Sequence, residues 1–274
     1  MSSIVTDQGI VHYEAYGRGR PVILLHGWLG SWGYWLQTME ALKSHYRCYA
    51  LDFWGFGESG KFRKHYDLND FVSLVDQFMD RLGIEAAPIV GHSMGGTVAI
   101  SLALAKPNRT RRVIVVGSPI VGNSLHFFLR LAGKPWIASI VWQMPQALRL
   151  GIRVFSPYVV HDWPTWYKMI TRDLSRTTLE AFFSSIGSLH KTDLRPQLPG
   201  ITTPIMGIYG VGDRVVEPTQ ANVITNNAPL SRVLMMPGSG HFPMLDEPQA
   251  FNENLAEFLA FEFETLNGAL KQNK

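Results

Sequence analysis

The chain has 274 residues, of which 46% are hydrophobic and 17% charged, so it can bury a large core and is not intrinsically disordered. Its net charge of +3 is small and its lysines and arginines form no long run, which argues against nucleic acid as a partner. The single cysteine, Cys48, rules out an internal disulfide and favours a reducing compartment.

Short apolar runs alternate with amphipathic stretches from Pro21 onward. The runs are bounded by glycine or proline and predict strands buried on both faces of a sheet: PVILLHGW, YRCYALDFWG, APIVGHSMGG, RRVIVVGSP, TTPIMGIYG and SRVLMMPG. Helical periods lie between them, and a last amphipathic helix is predicted from about Glu247 to Leu266. This order predicts an α/β fold, a mostly parallel sheet flanked by helices.

One long stretch interrupts the alternation. Residues 119–198 are rich in aromatic side chains and contain helical periods but few strand-like runs. We therefore expect a core domain made of residues 1–118 and 199–274, with residues 119–198 inserted as a helical cap.

A candidate nucleophile lies in Gly91-His92-Ser93-Met94-Gly95, between an apolar strand and a helix of small residues. At such a strand-to-helix turn the serine takes a strained backbone, and flanking glycines relieve the crowding. An ordinary helix N-cap is the plainer role for a serine. The strand, the glycines and the helix together favour Ser93 as a nucleophile exposed at the carboxyl edge of the sheet.

A serine hydroxyl stays protonated at neutral pH, so it needs a base with a pKa near neutrality. His241 follows the strand SRVLMMPG, and Asp213 follows TTPIMGIYG, which predicts that both project from the same sheet edge as Ser93. Asp213 would orient the imidazole. Asp52 and Asp246 are competing acids, for which a solvated loop or a turn cap is the simpler account. The histidines without a comparable placement are expected at the surface or in the cap: His12, His45, His65, His126, His161 and His190.

An oxyanion hole requires two backbone N–H groups that converge on the developing negative charge. We expect one from Met94, which follows the nucleophile, and one from Trp28 in the loop after an earlier strand. Gly27 would allow close approach of that loop.

Five motifs occur in one order along the chain: HGWLGS, DFWGFGES, GHSMGG, GDRVVEP and GSGHFPMLDEP. With them the chain resembles the α/β-hydrolase superfamily, specifically its capped serine esterases and lipase-like hydrolases. The resemblance implies the α/β-hydrolase fold, a triad of Ser93, Asp213 and His241 in that chain order, and hydrolysis of a carboxylic ester. It argues against the relatives that use an aspartate nucleophile, the haloalkane dehalogenases and epoxide hydrolases.

Two alternatives stay open. Carbon–carbon hydrolases and perhydrolases share this fold, but the former usually carry a tryptophan after the catalytic histidine and a glycine-rich oxyanion loop. Here Phe242 and Trp28-Leu29 occupy those places, which disfavours that alternative. The second is a slow-turnover ligand receptor that retains the triad.

Aromatic residues near the nucleophile and in the cap indicate a hydrophobic substrate, although for any single ring packing of the cap onto the core is the simpler explanation. We expect a small hydrophobic ester as the substrate and no metal or organic cofactor. The residues predicted to line the substrate pocket are Trp32, Trp54, His92, Trp136, Trp142 and Phe242.

The segment from Asn123 to Phe155 is apolar and carries basic residues but no acid. It predicts either a cap helix pair packed on the core with its basic residues in solvent, or a cap helix lying on an anionic membrane. The sequence opens with no basic, apolar signal and has no window apolar enough to span a bilayer, so we expect a soluble, cytoplasmic protein, with membrane contact only peripheral.

Overall fold

The computed structural model describes residues 2–7, 9–61 and 65–261. Eight strands in these residues form one sheet, in the spatial order β1-β2-β4-β3-β5-β6-β7-β8. The strands are β1 (Ser2–Thr6), β2 (Gly9–Gly17), β3 (Arg20–Leu25), β4 (Tyr46–Leu51), β5 (Ala87–His92), β6 (Thr110–Val116), β7 (Ile205–Gly210) and β8 (Ser231–Met236).

The six strands from β3 to β8 run parallel, and β1 and β2 add an antiparallel hairpin beside β4. Every residue of the central strand β5 is buried, because helices cover both faces of the sheet. The predicted α/β fold with a mostly parallel sheet is therefore confirmed, whereas the alternation of apolar runs did not predict the hairpin.

The helices are α1 (Leu36–Leu42), α2 (Leu68–Arg81), α3 (Met94–Ala105), α4 (Phe127–Ala132), α5 (Pro135–Trp142), α6 (Pro145–Phe155), α7 (Trp163–Leu174), α8 (Leu179–Lys191), α9 (Gln220–Asn227), α10 (Pro243–Asp246) and α11 (Pro248–Ala260). Helix α3 is apolar on all sides and packs on β5 and β6, as a fully buried helix does. The predicted last helix extends further than α11, and its residues 262–266 lie outside the described part of the chain.

Helices α4–α8 all lie between β6 and β7, and we refer to residues 119–198 as the helical insertion. Two isolated bridges lie near its ends: Val121 pairs with Asp193, which joins the two ends of the insertion, and Leu125 pairs with Val216, which joins the insertion to the segment after β7. None of the helices in the described ranges combines the length and the apolar character that a membrane span needs.

Candidate active site

Ser93 occupies a sharp turn between β5 and α3, with φ of 50° and ψ of −120°. Its N–H donates to the carbonyl of Val116 at 2.8 Å, which fixes the turn to β6. Only small residues fit around it: a Cβ on Gly91 would collide with the backbone of Gly95, and a Cβ on Gly95 would lie 2.5 Å from the carbonyl oxygen of Leu25. The glycines of this motif therefore let the serine stand at the carboxyl edge of the sheet.

His241 and Asp213 are in direct contact at the same edge. The Nδ1 atom of His241 lies 2.8 Å from Oδ2 of Asp213, and the other carboxylate oxygen accepts the N–H groups of Val215 and Val216 at 2.8 and 3.0 Å. Both side chains are buried. Because the carboxylate can only accept, the partners assign the proton to Nδ1 and leave Nε2 free to take a proton.

His92 connects the turn that carries Ser93 to the loop that follows β8 and carries His241, which we call the histidine loop. It precedes Ser93, its Nε2–H donates to the carbonyl of His241 at 2.9 Å, and the two imidazole rings lie 4.7 Å apart. Burial and the nearby His241 lower the pKa of His92 well below its usual value. A neutral His92 therefore holds the loop that carries His241 against the turn that carries Ser93.

The loop after β3 is fixed by a second buried histidine. His26 donates from Nδ1 to the carbonyl of Gly27 at 2.7 Å and accepts the N–H of Phe53 on Nε2 at 2.9 Å. Burial lowers the pKa of His26, so the neutral ring can fill both roles. This arrangement locks the loop containing Trp28 to the loop that follows β4.

The helical insertion contacts the loop after β3 and the histidine loop. The indole N–H of Trp28 donates to the carbonyl of Phe182 at 2.8 Å, and the hydroxyl of Ser31 donates to Asp173 at 2.9 Å. The N–H of His241 donates to the carbonyl of Val159 at 3.0 Å. The insertion therefore lies over the edge of the sheet where Ser93 stands.

Comparison with known proteins identifies the family to which this fold belongs. A family model described as the alpha/beta hydrolase fold matches residues 20–157, which is half of the chain. This chain belongs to the α/β-hydrolase family. A pimeloyl-[acyl-carrier protein] methyl ester esterase of Vibrio campbellii is 27% identical, covering 91% of this chain and 98% of the relative. Human epoxide hydrolase 4 is 26% identical, covering 94% of this chain and 78% of the relative.

Solved α/β-hydrolase structures share the fold. The enol-lactonase of Burkholderia xenovorans superimposes with a TM-score of 0.81 at 21% identity, over 95% of this chain and all (100%) of that one. A hydrolase of Pseudomonas aeruginosa gives 0.80 at 22% identity, over 95% and 98% of the two chains. The resemblance to α/β-hydrolases and the assignment as a hydrolase enzyme are confirmed.

Phe242 lies at the centre of a group of aromatic rings around the candidate site. Its ring lies 4.4 Å from that of His92 and 5.2 Å from that of His241, stacks on Tyr34, and meets Trp166 of α7 at 5.5 Å. Phe242 therefore joins the histidine loop to the insertion.

A second group of rings borders the loop after β3. Trp28 and Trp142 both pack on Phe182 of α8, with ring centroids 4.7 and 5.5 Å from it. Trp32 is half-buried and donates its backbone N–H to Asp52 at 2.7 Å. The structure thus places Trp28 and Trp142 together, with Trp32 anchored nearby on the same loop.

Trp54 and Trp136 lie in positions that give their predicted pocket role no support. Trp54 is fully buried in the core, with its indole nitrogen beside Gly9 at the start of β2. Trp136 is 64% exposed on the outside of α5. The aromatic count of a loop or helix does not tell which way each ring points, and these two rings point into the core and into solvent.

Asp52 is a buried acid, so of the two accounts expected for it the solvated loop is wrong, whereas the turn cap agrees with its bond to Glu58. It accepts the N–H groups of Trp32 and Glu58 and contacts Nδ1 of His12 at 3.0 Å. The surface placement expected for His12 is also wrong, because β2 pairs with β4 and brings His12 over the end of that strand. Asp246 is a turn cap that accepts the N–H of Gly240 at 2.8 Å.

Two residues of this region were missed at the level of sequence. His26 directly follows the buried strand β3 in LLHGW, a placement similar to the one that drew attention to His241. Asp173 lies on α7 without a local motif, and only the folded chain brings it to Ser31. Within the described ranges, no three of the histidine, cysteine, aspartate and glutamate side chains are grouped as a metal ion would require.

Proposed function

We propose that this hydrolase cleaves a hydrophobic carboxylic ester through an acyl-enzyme on Ser93, with His241 as general base and acid and Asp213 as the residue that orients it. The observation that carries the proposal is the buried contact of 2.8 Å between His241 and Asp213, held by His92 beside the strained turn of Ser93. A serine, an imidazole and a carboxylate arranged in this way recur on unrelated folds that perform acyl transfer.

The proposed reaction proceeds in two halves. The Ser93 oxygen attacks the carbonyl carbon of the ester while its proton passes to Nε2 of His241. The backbone N–H groups of Met94 and Trp28 receive the negative charge on the carbonyl oxygen. His241 then gives its proton to the leaving alcohol, and water attacks the acyl-enzyme by the same route in reverse.

An apolar substrate suits the rings that surround the proposed site. Phe242 and Trp166 form one group of contacting rings, and Trp28, Phe182 and Trp142 form another. Each Å² of apolar ligand surface that such rings remove from water contributes about 25 cal/mol to binding. The Vibrio relative is named for a methyl ester, which agrees with an ester substrate here.

In this proposal the helical insertion acts as a cap. Its contacts to Trp28, Ser31 and His241 close the site, and Ser93 is only 6% exposed. Exclusion of water strengthens the electrostatic interactions inside such a site. Entry of the substrate then requires the insertion to move away from the loop after β3.

Turnover of a series of nitrophenyl esters with increasing acyl length tests the proposal. The parent enzyme should hydrolyse the series with a preference for apolar chains, and Ser93→Ala should lose activity by at least about a thousandfold, because no other group can form the acyl-enzyme. Fluorophosphonate should label the parent on the peptide that contains Ser93.

Ser101→Ala is a matched control on helix α3, which begins directly after Ser93. The Ser101 hydroxyl donates only to the carbonyl of Thr97 at 2.8 Å, so this variant should keep both turnover and labelling. Full activity of Ser93→Ala would reject the nucleophile. Stoichiometric labelling of Ser93 without steady-state turnover of any ester would support the slow-turnover receptor instead.

A further inference from the structure

Eight large apolar side chains lie exposed on helices α4–α6 and the turn that follows them. Each is more than half exposed, although side chains of this kind are normally buried or scattered singly over a surface. We refer to them as the outer apolar face: Phe127, Trp136, Ile140, Met144, Leu150, Val154, Phe155 and Tyr158.

The exposure follows from helices that are apolar on more than one side. On α6, Leu148 and Ile152 are half-buried and pack against the core, whereas Leu150 and Val154, one turn apart, are 62% and 58% exposed. Helix α5 packs against α6 and likewise buries Ala138 on its inner side. Helix α5 is apolar all round, as are helices that lie in a core or in contact with lipid. Helix α6 is amphipathic, but its apolar side is wide enough to include the exposed Leu150 and Val154. The outer sides of α5 and α6 lack the cover that a core would give.

Basic residues accompany the outer apolar face. Arg149 and Arg153 lie one turn apart on α6, next to the exposed apolar stripe, and Lys134 precedes α5. No acidic residue occurs anywhere between Glu85 and Asp162 in the sequence. The face therefore combines apolar area with positive charge that no acid of the same segment offsets.

We propose that the outer apolar face docks this hydrolase on the surface of an anionic lipid bilayer. Apolar rings and aliphatic chains would enter the boundary between headgroups and acyl chains, where Trp136 and Tyr158 have the amphipathic rings that favour this depth. Arg149 and Arg153 would lie level with the lipid phosphates, and each basic residue near an anionic membrane adds to the attraction.

The charge pattern favours a membrane over a second copy of the chain. A symmetric dimer would pair this face with its own copy, so Arg149, Arg153 and Lys134 would meet a surface of basic and apolar residues from a segment that holds no acid. Like charges placed opposite each other oppose association. An anionic lipid surface provides the complementary charge that the face requires.

Docking in this way would place lipid beside the candidate site. Val159, just after the outer apolar face, accepts the N–H of His241 at 3.0 Å. The inference does not depend on the chemistry proposed for Ser93, so binding can be measured on the Ser93→Ala variant, and a failure of one proposal leaves the other intact.

Co-sedimentation with vesicles tests the inference. The full chain should sediment with vesicles made of phosphatidylcholine and phosphatidylglycerol in equal parts, less so as salt is added, and not with vesicles of phosphatidylcholine alone. Leu150→Glu and Val154→Glu should each weaken binding by at least about tenfold, because a carboxylate on the face opposes insertion and is repelled by the lipid. The double variant Arg149→Gln with Arg153→Gln should weaken it by a similar factor.

Leu36→Glu is the matched control, because Leu36 is 57% exposed at the start of α1, which packs on α11 in the core domain. It should bind like the parent, and circular dichroism should show that all variants are folded. Absence of sedimentation, equal binding of Leu150→Glu and the parent, or an equal loss in Leu36→Glu would each overturn the proposal. So would a dimer in size-exclusion chromatography that Leu150→Glu dissociates, since the face would then serve self-association.

Discussion

Among the described residues, the residues other than glycine that hold a positive φ are Leu29 at 54° and Ser93 at 50°. Each adjoins one of the two N–H groups proposed for the oxyanion hole, since Leu29 follows Trp28 and Ser93 precedes Met94. Such conformations cost roughly 1–3 kcal/mol each and persist where surrounding structure holds them. In the proposed mechanism this strain sets the direction of both donors before the substrate arrives.

At Gly27 the loop after β3 passes close to the turn that carries His92 and Ser93. A Cβ at Gly27 would lie 2.8 Å from Nδ1 of His92 and 3.0 Å from Cβ of Ser93, so Gly27→Ala should displace the nucleophile. A displacement near 1 Å lowers turnover by about a hundredfold, which steady-state kinetics would detect. Gly200→Ala, where a Cβ meets no heavy atom within 4 Å, should behave like the parent. If Gly27→Ala turned over the substrate at the rate of the parent, the close approach of this loop to Ser93 would not matter for catalysis.

Ser93 and His241 should act as one unit. Ser93→Ala and His241→Ala are each expected to remove nearly the whole acyl-enzyme route, so the double variant should be no slower than the single variants. Rates of ester hydrolysis by the three variants, corrected for the uncatalysed reaction, provide the measurement. Losses that multiply in the double variant would mean that the two residues act independently.

At the level of elements, helix α7 supports the loop after β3 through a buried carboxylate. Asp173 accepts the hydroxyl of Ser31 at 2.9 Å and is paired with Arg172 at 3.0 Å. Burial raises the pKa of Asp173 in spite of that arginine. The contact joins the helical insertion to the same loop that carries Trp28, so the position of α7 and the position of the proposed oxyanion donor are linked.

Removal of this contact should impair turnover. Asp173→Ala leaves Ser31 without its acceptor, and we expect kcat to fall by at least about tenfold as the loop loosens. Asp173→Asn keeps an oxygen that can accept the Ser31 hydroxyl, so this variant should remain within a few-fold of the parent. The two variants are compared by kcat and by urea unfolding. Equal kcat values for Asp173→Ala and the parent would show that the contact with α7 does not position the loop after β3.

Burial explains most of what the sequence could predict among these elements. Strands β3, β5, β6 and β7 are buried along most of their length and form continuous apolar runs, whereas β1 and β2 are partly exposed and leave a weaker pattern. Strand β8 is also partly exposed, and it was predicted because its run SRVLMMPG is apolar in sequence. Ser93, Asp213 and His241 lie at strand ends as expected, and their roles stay predictions. The contact between His12 and Asp52 joins residues 40 positions apart, so it depends on the pairing of β2 with β4, which no local pattern encodes.

For the molecule as a whole, that same buried pair couples stability to pH. The hydrogen bond to Asp52 raises the pKa of His12, and His12 with backbone N–H groups lowers the pKa of Asp52 in spite of burial. The stabilisation from His12 is complete below its unfolded pKa and is lost as pH rises through the raised folded value. The stabilisation from Asp52 is lost as pH falls through its lowered folded value, so the pair contributes most between the two.

His12→Leu should therefore destabilise the chain more in mild acid than in base. At about pH 6 the expected loss is about 1.5–3 kcal/mol, the range for hydrogen bonds to charged groups. As pH rises through the raised pKa of His12 the parent loses this proton, so the difference should shrink toward about pH 9. Urea unfolding of both proteins at the two pH values measures it. If the loss in free energy of unfolding caused by His12→Leu were larger at the higher pH, the proposed ion pair between His12 and Asp52 would be rejected.

Cys48 lies in the middle of β4 with no exposure to solvent, and burial raises the pKa of its thiol to about 12. Maleimides react with thiolates, and at neutral pH almost none forms at this position. Since the sequence holds no other cysteine, the parent chain should remain unmodified by such reagents. A fluorophore introduced through Leu150→Cys would then report from one known point on the surface, without any need to replace the native thiol.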